Sequence, residues 1–203
     1  MVTTSSLVVE LLVIGVGAAS WVVLLAASVF GNSWLIALQP FATLLAIPAL
    51  AIVYTLGIVS DRMIDSLFGL IWGGSLRRSQ FPDNKSYHRA RRTVLTGSNR
   101  MADMIEYSRS RMRICRGWAV HSLLIALALN VYCGLQIEDD QLAYRAHIFG
   151  TSMFCVLGIS SWHAWRNLTA TQYLQVREQS EFLACKTDGG EDKPDDVRVT
   201  RAA

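Results

Sequence analysis

Charged residues are scarce in this chain, at 17% of 203 positions, and they are unevenly distributed. Residues Leu7 to Phe30 contain one acidic or basic residue, Glu10, and Trp34 to Val59 contain none. A water-soluble domain spreads charge over its whole surface, so this pattern excludes an ordinary soluble globular protein. At about 1.5 Å per residue, each stretch is long enough to cross roughly 30 Å of hydrocarbon as a helix.

Two further apolar stretches follow later in the chain. Trp118 to Ile137 is interrupted only by His121 and Asn130, and Ala146 to Trp165 carries a histidine near each end. The sequence therefore predicts an all-α protein, a bundle of four transmembrane helices with helical extensions into the cytoplasm. The first stretch is not typical of a cleaved signal peptide, because no basic region precedes it and the second stretch follows almost at once.

Sequence motifs of catalysis and cofactor binding are also lacking. The four cysteines, at positions 115, 133, 155 and 185, are far apart, and none forms a metal-binding or redox pair. There is no nucleotide-binding glycine-rich loop and no histidine pair at the spacing of one helical turn. We therefore expect neither a metal ion nor an organic cofactor.

Basic residues, in contrast, are concentrated in one segment. Twelve of the nineteen Lys and Arg residues lie between Asp61 and Gly117, whereas Glu138 to Arg145 contains one. Basic segments are retained on the cytoplasmic side when a membrane protein is inserted. With four crossings, this predicts that both termini and the basic segment face the cytoplasm, in what we expect to be a bacterial inner membrane.

These patterns divide the chain into four parts. Residues 1–60 hold the first two transmembrane helices, and 61–117 form a basic cytoplasmic helical hairpin. Residues 118–165 hold the third and fourth transmembrane helices, and 166–203 form a cytoplasmic helix extension and a disordered tail.

Local signals predict where the helical extensions begin and end. Gly73 and Gly74 are expected to interrupt the helix that leaves the second span. From Asn99, a helical pattern continues into the third span without a breaker. Tryptophans at positions 118, 162 and 165 are expected to mark the membrane interfaces.

Charged residues are predicted to meet at the cytoplasmic edge of the membrane. Asp61 and Asp65 leave the second span at about the heights at which Arg109 to Arg116 approach the third. If these faces meet, the aspartates form ion pairs with arginines of this set; arginines that only reach lipid phosphates are the alternative. The candidate interface charge cluster consists of Asp61, Arg62, Asp65, Arg109, Arg113 and Arg116.

Polar residues within the predicted spans form a second candidate set. Such side chains commonly face other helices or a water-filled path. We therefore expect His121, Asn130 and His163 to lie inside the bundle. Hydrogen bonding between helices is the simpler role for them, and a proton or ion pathway is the alternative.

These features favour a non-enzymatic integral membrane protein that acts as an oligomeric scaffold, adaptor or pore-forming assembly. Its expected partners are anionic lipid headgroups and further copies of itself, with another protein as an open alternative. The rival hypothesis is a membrane-embedded enzyme or carrier for an anionic lipid or isoprenoid phosphate. In it, Arg109, Arg113 and Arg116 hold the phosphate, and Asp61 or Asp65 acts as base or metal ligand. Nucleic acid is a poor candidate partner, because outside the helices next to the membrane the basic segment offers only Phe81 and Tyr87 for base stacking.

Overall fold

A computed structural model describes the backbone of residues 4–97 and 99–188, and side chains within 7–75, 77–96 and 104–183 and at Cys185. Every element in this part of the chain is helical. The α-helices are α1 Thr4–Phe30, α2 Ser33–Leu38, α3 Ala42–Phe68, α4 Gly74–Arg78, α5 Asn84–Gly97, α6 Asn99–Gln136 and α7 Asp140–Asp188. A 3₁₀ turn at Gln39–Phe41 joins α2 to α3, and a π-helical turn at Gly69–Gly73 joins α3 to α4.

Four helical stretches are long and apolar enough to cross a membrane, which confirms the all-helical composition of an integral membrane protein. They are Leu7–Phe30, Ser33–Gly73, Met104–Gln136 and Asp140–Leu183. The last two belong to single unbroken helices, α6 and α7, which extend beyond their apolar residues. This continuity is what the absence of a helix breaker predicts.

The predicted interruption of the helix near Gly73 and Gly74 takes the form of a π-helical turn and does not end the helix. The chain takes a π-helical turn at Gly69–Gly73 and stays helical to Arg78. Glycine disfavours a helix by only about 1 kcal/mol relative to alanine, which packing can offset. Trp72 supplies such packing from within the π turn, because its ring lies 6.1 Å from that of a tryptophan on α7.

That α7 residue, Trp165, does more than mark an interface. It is buried with Ile64, Phe68 and Ala119 in an apolar cluster formed by α3, α6 and α7. Its ring meets the Phe68 ring edge-on, with centroids 4.7 Å apart. Aromatic pairs of this kind add about 0.5–1.5 kcal/mol beyond the burial of their surface.

Helices α1 and α3 cross in direct backbone contact. A methyl group added to Gly15 would collide with the Val53 carbonyl, and one added to Gly57 would collide with the Leu11 carbonyl. Glycine is therefore required at both positions for this close approach. The crossing brings the polar ends of the two helices together.

Helix α6 packs on another face of α1. A Cβ atom on Gly117 would come within 3.1 Å of the Ile14 side chain, and one on Gly17 within 3.1 Å of the His121 ring. Helix α6 packs in turn along α7. Helix α1 therefore holds α3 and α6 close enough for charged residues near the start of α1, near the end of α3 and in the middle of α6 to meet.

The opposite end of α1 is fixed by a tight turn. Gly31 has a φ of +74°, a backbone conformation that favours glycine. The Asn32 amide donates a hydrogen bond of 2.7 Å to the Tyr132 hydroxyl, and the Gln136 amide donates one of 3.0 Å to the Ser28 carbonyl. These bonds tie the turn to the end of α6.

Helix α5 docks on the extensions of α6 and α7. The contact is an apolar cluster of the buried side chains of Phe81, Val94, Ile105 and Val176. Asp83 caps the first turn of α5, because its carboxylate accepts a hydrogen bond of 2.7 Å from the Ser86 backbone N–H. This bond holds the pKa of the Asp83 carboxyl below its usual range.

We predict that Gly57→Ala destabilises the packing of α1 against α3. The new methyl group meets a backbone carbonyl, which cannot move as a side chain can, and such overpacking costs roughly 1–3 kcal/mol. The measurement is the midpoint of thermal unfolding in mild detergent. Gly134→Ala is the matched control, because no neighbouring heavy atom lies within 4 Å of its added Cβ. Equal midpoints for the two variants would contradict the close crossing.

Candidate functional site

An arginine of α6 joins two carboxylates of α3. The Arg116 Nη2 atom donates a hydrogen bond of 3.1 Å to Asp61 Oδ1, and its Nη1 atom donates to Asp65 Oδ1. The two aspartates are four residues apart, which places both on one face of α3. The predicted pairing of these aspartates with α6 is therefore present at Arg116.

This ion pair is shielded from water on one side. The side chains of Arg116 and Asp61 are each 12% exposed, whereas that of Asp65 is 60% exposed. Loss of one partner from a buried pair leaves an isolated charge without its hydration. Asp61 therefore depends on Arg116, and the more exposed Asp65 depends on it less.

Glu10 of α1 belongs to the same cluster, although the sequence analysis did not include it. Glu10 is 4% exposed, and it accepts a hydrogen bond from the Ser110 hydroxyl. Its Oε2 atom lies 4.0 Å from an Nη atom of Arg113. The sequence does contain a signal for this contact: Glu10 is the one charged residue of its apolar span, and such a charge requires a partner.

Arg109 and Arg113 do not pair with either aspartate among the described side chains. Arg113 faces Glu10 instead, because α1 rather than α3 packs along this stretch of α6. Arg109 makes no ion pair with the side chains that the structure describes, and neither does Arg62. The cluster therefore contains arginines whose charge is not neutralised within it.

Two cavities open beside the charged cluster. One has a volume of about 350 Å³ and lies among α3, α5, α6 and α7, with Tyr87 and Tyr173 in its wall. The other has a volume of about 600 Å³ and lies among α1, α3, α5 and α6. Both cavities are lined by Asp61, Arg62, Arg109 and Arg113.

The chemistry of this arrangement is that of electrostatic binding. Guanidinium groups offer paired donors that match carboxylate and phosphate oxygens. Asp61 and Asp65, which the rival hypothesis uses as base or metal ligand, are both bonded to Arg116. Within the described residues, no three His, Cys, Asp or Glu side chains are grouped so that they could hold a metal ion.

The polar residues predicted to lie inside the bundle occupy different positions. His121 is buried against Gly17 of α1, and Asn130 accepts a hydrogen bond of 3.0 Å from Thr151 of α7. The prediction for His163 is wrong, because its side chain is exposed. It lies two residues from the buried Trp165, which places it on the opposite face of α7.

Comparisons of the chain with models of protein families, with curated proteins and with solved structures gave no match. The charged cluster and its cavities are therefore the features from which a function is inferred.

We predict that Arg116→Gln lowers the midpoint of thermal unfolding in detergent, because it leaves Asp61 buried without its cation. Breaking a buried ion pair costs on the order of 3 kcal/mol. A double variant, Asp61→Asn with Arg116→Gln, should recover most of this loss, since no isolated buried charge remains.

Arg111→Gln is the matched control for this experiment. It removes the same charge from the same helix, but Arg111 is exposed and lies 5.8 Å from the centre of the Tyr107 ring. We expect a small effect on the unfolding midpoint. A double variant no more stable than Arg116→Gln, or a control that is equally destabilised, would contradict a structural ion pair.

Proposed function

We propose that this chain is a non-enzymatic integral membrane protein that works as a scaffold assembled from several copies of itself. In this proposal, α1, α2 with α3, α6 and α7 cross the bilayer as a bundle. Helix α5 and the extensions of α6 and α7 form a helical layer in the cytoplasm, with both termini. The concentration of basic residues in 61–117, twelve of nineteen, supports this orientation.

The proposal depends on one observation, a helical segment in which every residue is exposed. All eighteen residues from Leu35 to Ile52 are exposed, on every side of α2, the 3₁₀ turn and the first part of α3. Helix α6 differs, because it buries a row of side chains against α1 and α7 along its apolar length. Half of the second span is therefore available to another protein chain.

Lipid alone is a poor neighbour for this segment. Pro48 has no N–H, so the carbonyl four residues earlier, at Leu44, lacks its usual helical donor. Gln39 and Thr43 add exposed polar side chains. Within hydrocarbon, such groups are generally satisfied by contacts with protein. A second copy offers the same segment in return, so a symmetric contact supplies polar partners to both chains.

The charged cluster supports the non-enzymatic role in this proposal. A carboxylate that holds an arginine or a hydroxyl group of another helix is explained by that contact without a catalytic role. Asp61 and Asp65 hold Arg116, and Glu10 accepts a hydrogen bond from Ser110. These carboxylates join α1 and α3 to α6, which is a structural role.

Cysteine cross-linking in membranes tests the proposed contact. Single cysteines are introduced from Leu44 to Leu50 in a variant that lacks the four native cysteines. We predict cross-linked dimers at positions that recur at roughly 3.6-residue spacing, because one face of the helix meets its copy. Ile47, which is 80% exposed, lies in the centre of the scan.

Val156→Cys on α7 is the matched control for the scan. Val156 is 65% exposed and lies sixteen residues from the start of α7. Ile47 lies at a similar distance along its own span, fourteen residues from the start of α2. The control should remain monomeric at the same reagent concentration. Failure to cross-link at every scanned position, or equal cross-linking at Val156, would contradict assembly through this segment.

A further inference from the structure

The larger cavity is lined by both apolar and cationic side chains, and we call it the amphipathic cavity. Leu7, Leu11 and Ile58 of α1 and α3 form what we call its apolar wall, and Leu95 and Ile105 add apolar side chains from α5 and α6. Its four arginines, which we call the cationic wall, are Arg62, Arg91, Arg109 and Arg113. Its volume of about 600 Å³ lies within the range of ligand sites, roughly 300–1,000 Å³.

The carboxylates in this cavity neutralise its arginines only in part. Asp61 is paired with Arg116, which does not line the cavity. Glu10 is bonded to Ser110 and faces Arg113. One further carboxylate lines the cavity, that of the exposed Glu106, and it cannot neutralise all of Arg62, Arg91 and Arg109. The cationic wall therefore retains positive charge.

Arg91 and Arg109 are the centre of this excess charge. Both are partly buried, and the buried Nε atom of Arg91 has no hydrogen-bond partner among the described residues. Arg91 and Arg113 lie close enough to Arg109 to repel its charge. An anion between them would relieve this repulsion and accept paired hydrogen bonds from the guanidinium groups.

In the proposed orientation, the amphipathic cavity lies at the level of the lipid phosphates. Its apolar wall belongs to the ends of two apolar stretches, since Leu7 begins the first and Ile58 lies next to the last residue of the second. Arg91 comes from α5, Arg109 and Arg113 come from the charged extension of α6, and Arg62 comes from the end of α3. Lipid chains and a lipid phosphate would therefore each meet a wall of matching chemistry.

We propose that the amphipathic cavity binds one anionic phospholipid. The phosphate lies between Arg91, Arg109 and Arg113, and an acyl chain lies against Leu11 and Ile58. The bound lipid connects α5 to α1 and α3. A single chain supplies the whole site, so this proposal does not depend on the proposed assembly.

Native mass spectrometry of delipidated protein in mild detergent tests the proposal. Phosphatidylglycerol and phosphatidylcholine with the same acyl chains are added separately, and bound lipids are counted. We expect one phosphatidylglycerol per chain and about tenfold weaker retention of phosphatidylcholine. Arg91→Gln with Arg109→Gln should weaken phosphatidylglycerol binding at least about tenfold, the usual effect of losing charge-assisted hydrogen bonds.

Arg92→Gln with Arg111→Gln is the matched control. It removes the same charge from the same two helices, at positions that are exposed and outside the cavity. We expect binding of phosphatidylglycerol equal to that of the unchanged protein. Equal loss in both double variants would overturn the proposal in favour of non-specific charge attraction, and no loss in Arg91→Gln with Arg109→Gln would place the lipid elsewhere.

Ile58→Trp distinguishes a lipid from free phosphate and does not alter the arginines. The indole fills the apolar side of the cavity, so phosphatidylglycerol binding should fall about tenfold while binding of inorganic phosphate stays unchanged. Met63→Trp, at an exposed position on the same helix, should leave lipid binding unchanged. Unaltered lipid binding in Ile58→Trp, or displacement of the lipid by inorganic phosphate alone, would overturn the lipid assignment.

Discussion

The burial of charged side chains at one end of apolar helices is the interaction on which the rest of the structure depends. Asp61 and Glu10 leave water, and each is held by residues of α6. Apolar side chains gain little by leaving lipid for one another, so membrane helices associate through close packing and polar contacts. Close packing occurs where α1 and α3 cross at Gly15 and Gly57, and Arg116 provides polar contacts between α6 and α3.

Local signals in the sequence were enough to predict the helices but not all of their contacts. Length and composition predict the apolar spans, and the lack of a breaker predicts the continuity of α6 and α7. The helix persists beyond Gly73 because Trp72 packs on another helix, which no local pattern records. The aspartate pairing follows from matching heights, whereas the Glu10 contact requires knowing that α1 lies against α6.

The charged cluster gives the chain two different surfaces. At the polar end, α5 and the extensions of α6 and α7 surround cavities with unneutralised arginines, which suits an anionic lipid. Within the second span, every residue from Leu35 to Ile52 is exposed, which suits contact with a second copy. A scaffold anchored by lipid on one side and by its own copies on another would combine these properties without any catalytic group.

The most direct test of this account is the labelling of two single cysteines in sealed, right-side-out membrane vesicles with a maleimide that cannot cross the bilayer. Lys85→Cys lies just after the start of α5, and Asp139→Cys lies just before α7; both positions are exposed. The account predicts labelling of Asp139→Cys in sealed vesicles and of Lys85→Cys only after lysis. Labelling of both positions before lysis, or of Lys85→Cys alone, would contradict four crossings with a cytoplasmic basic layer.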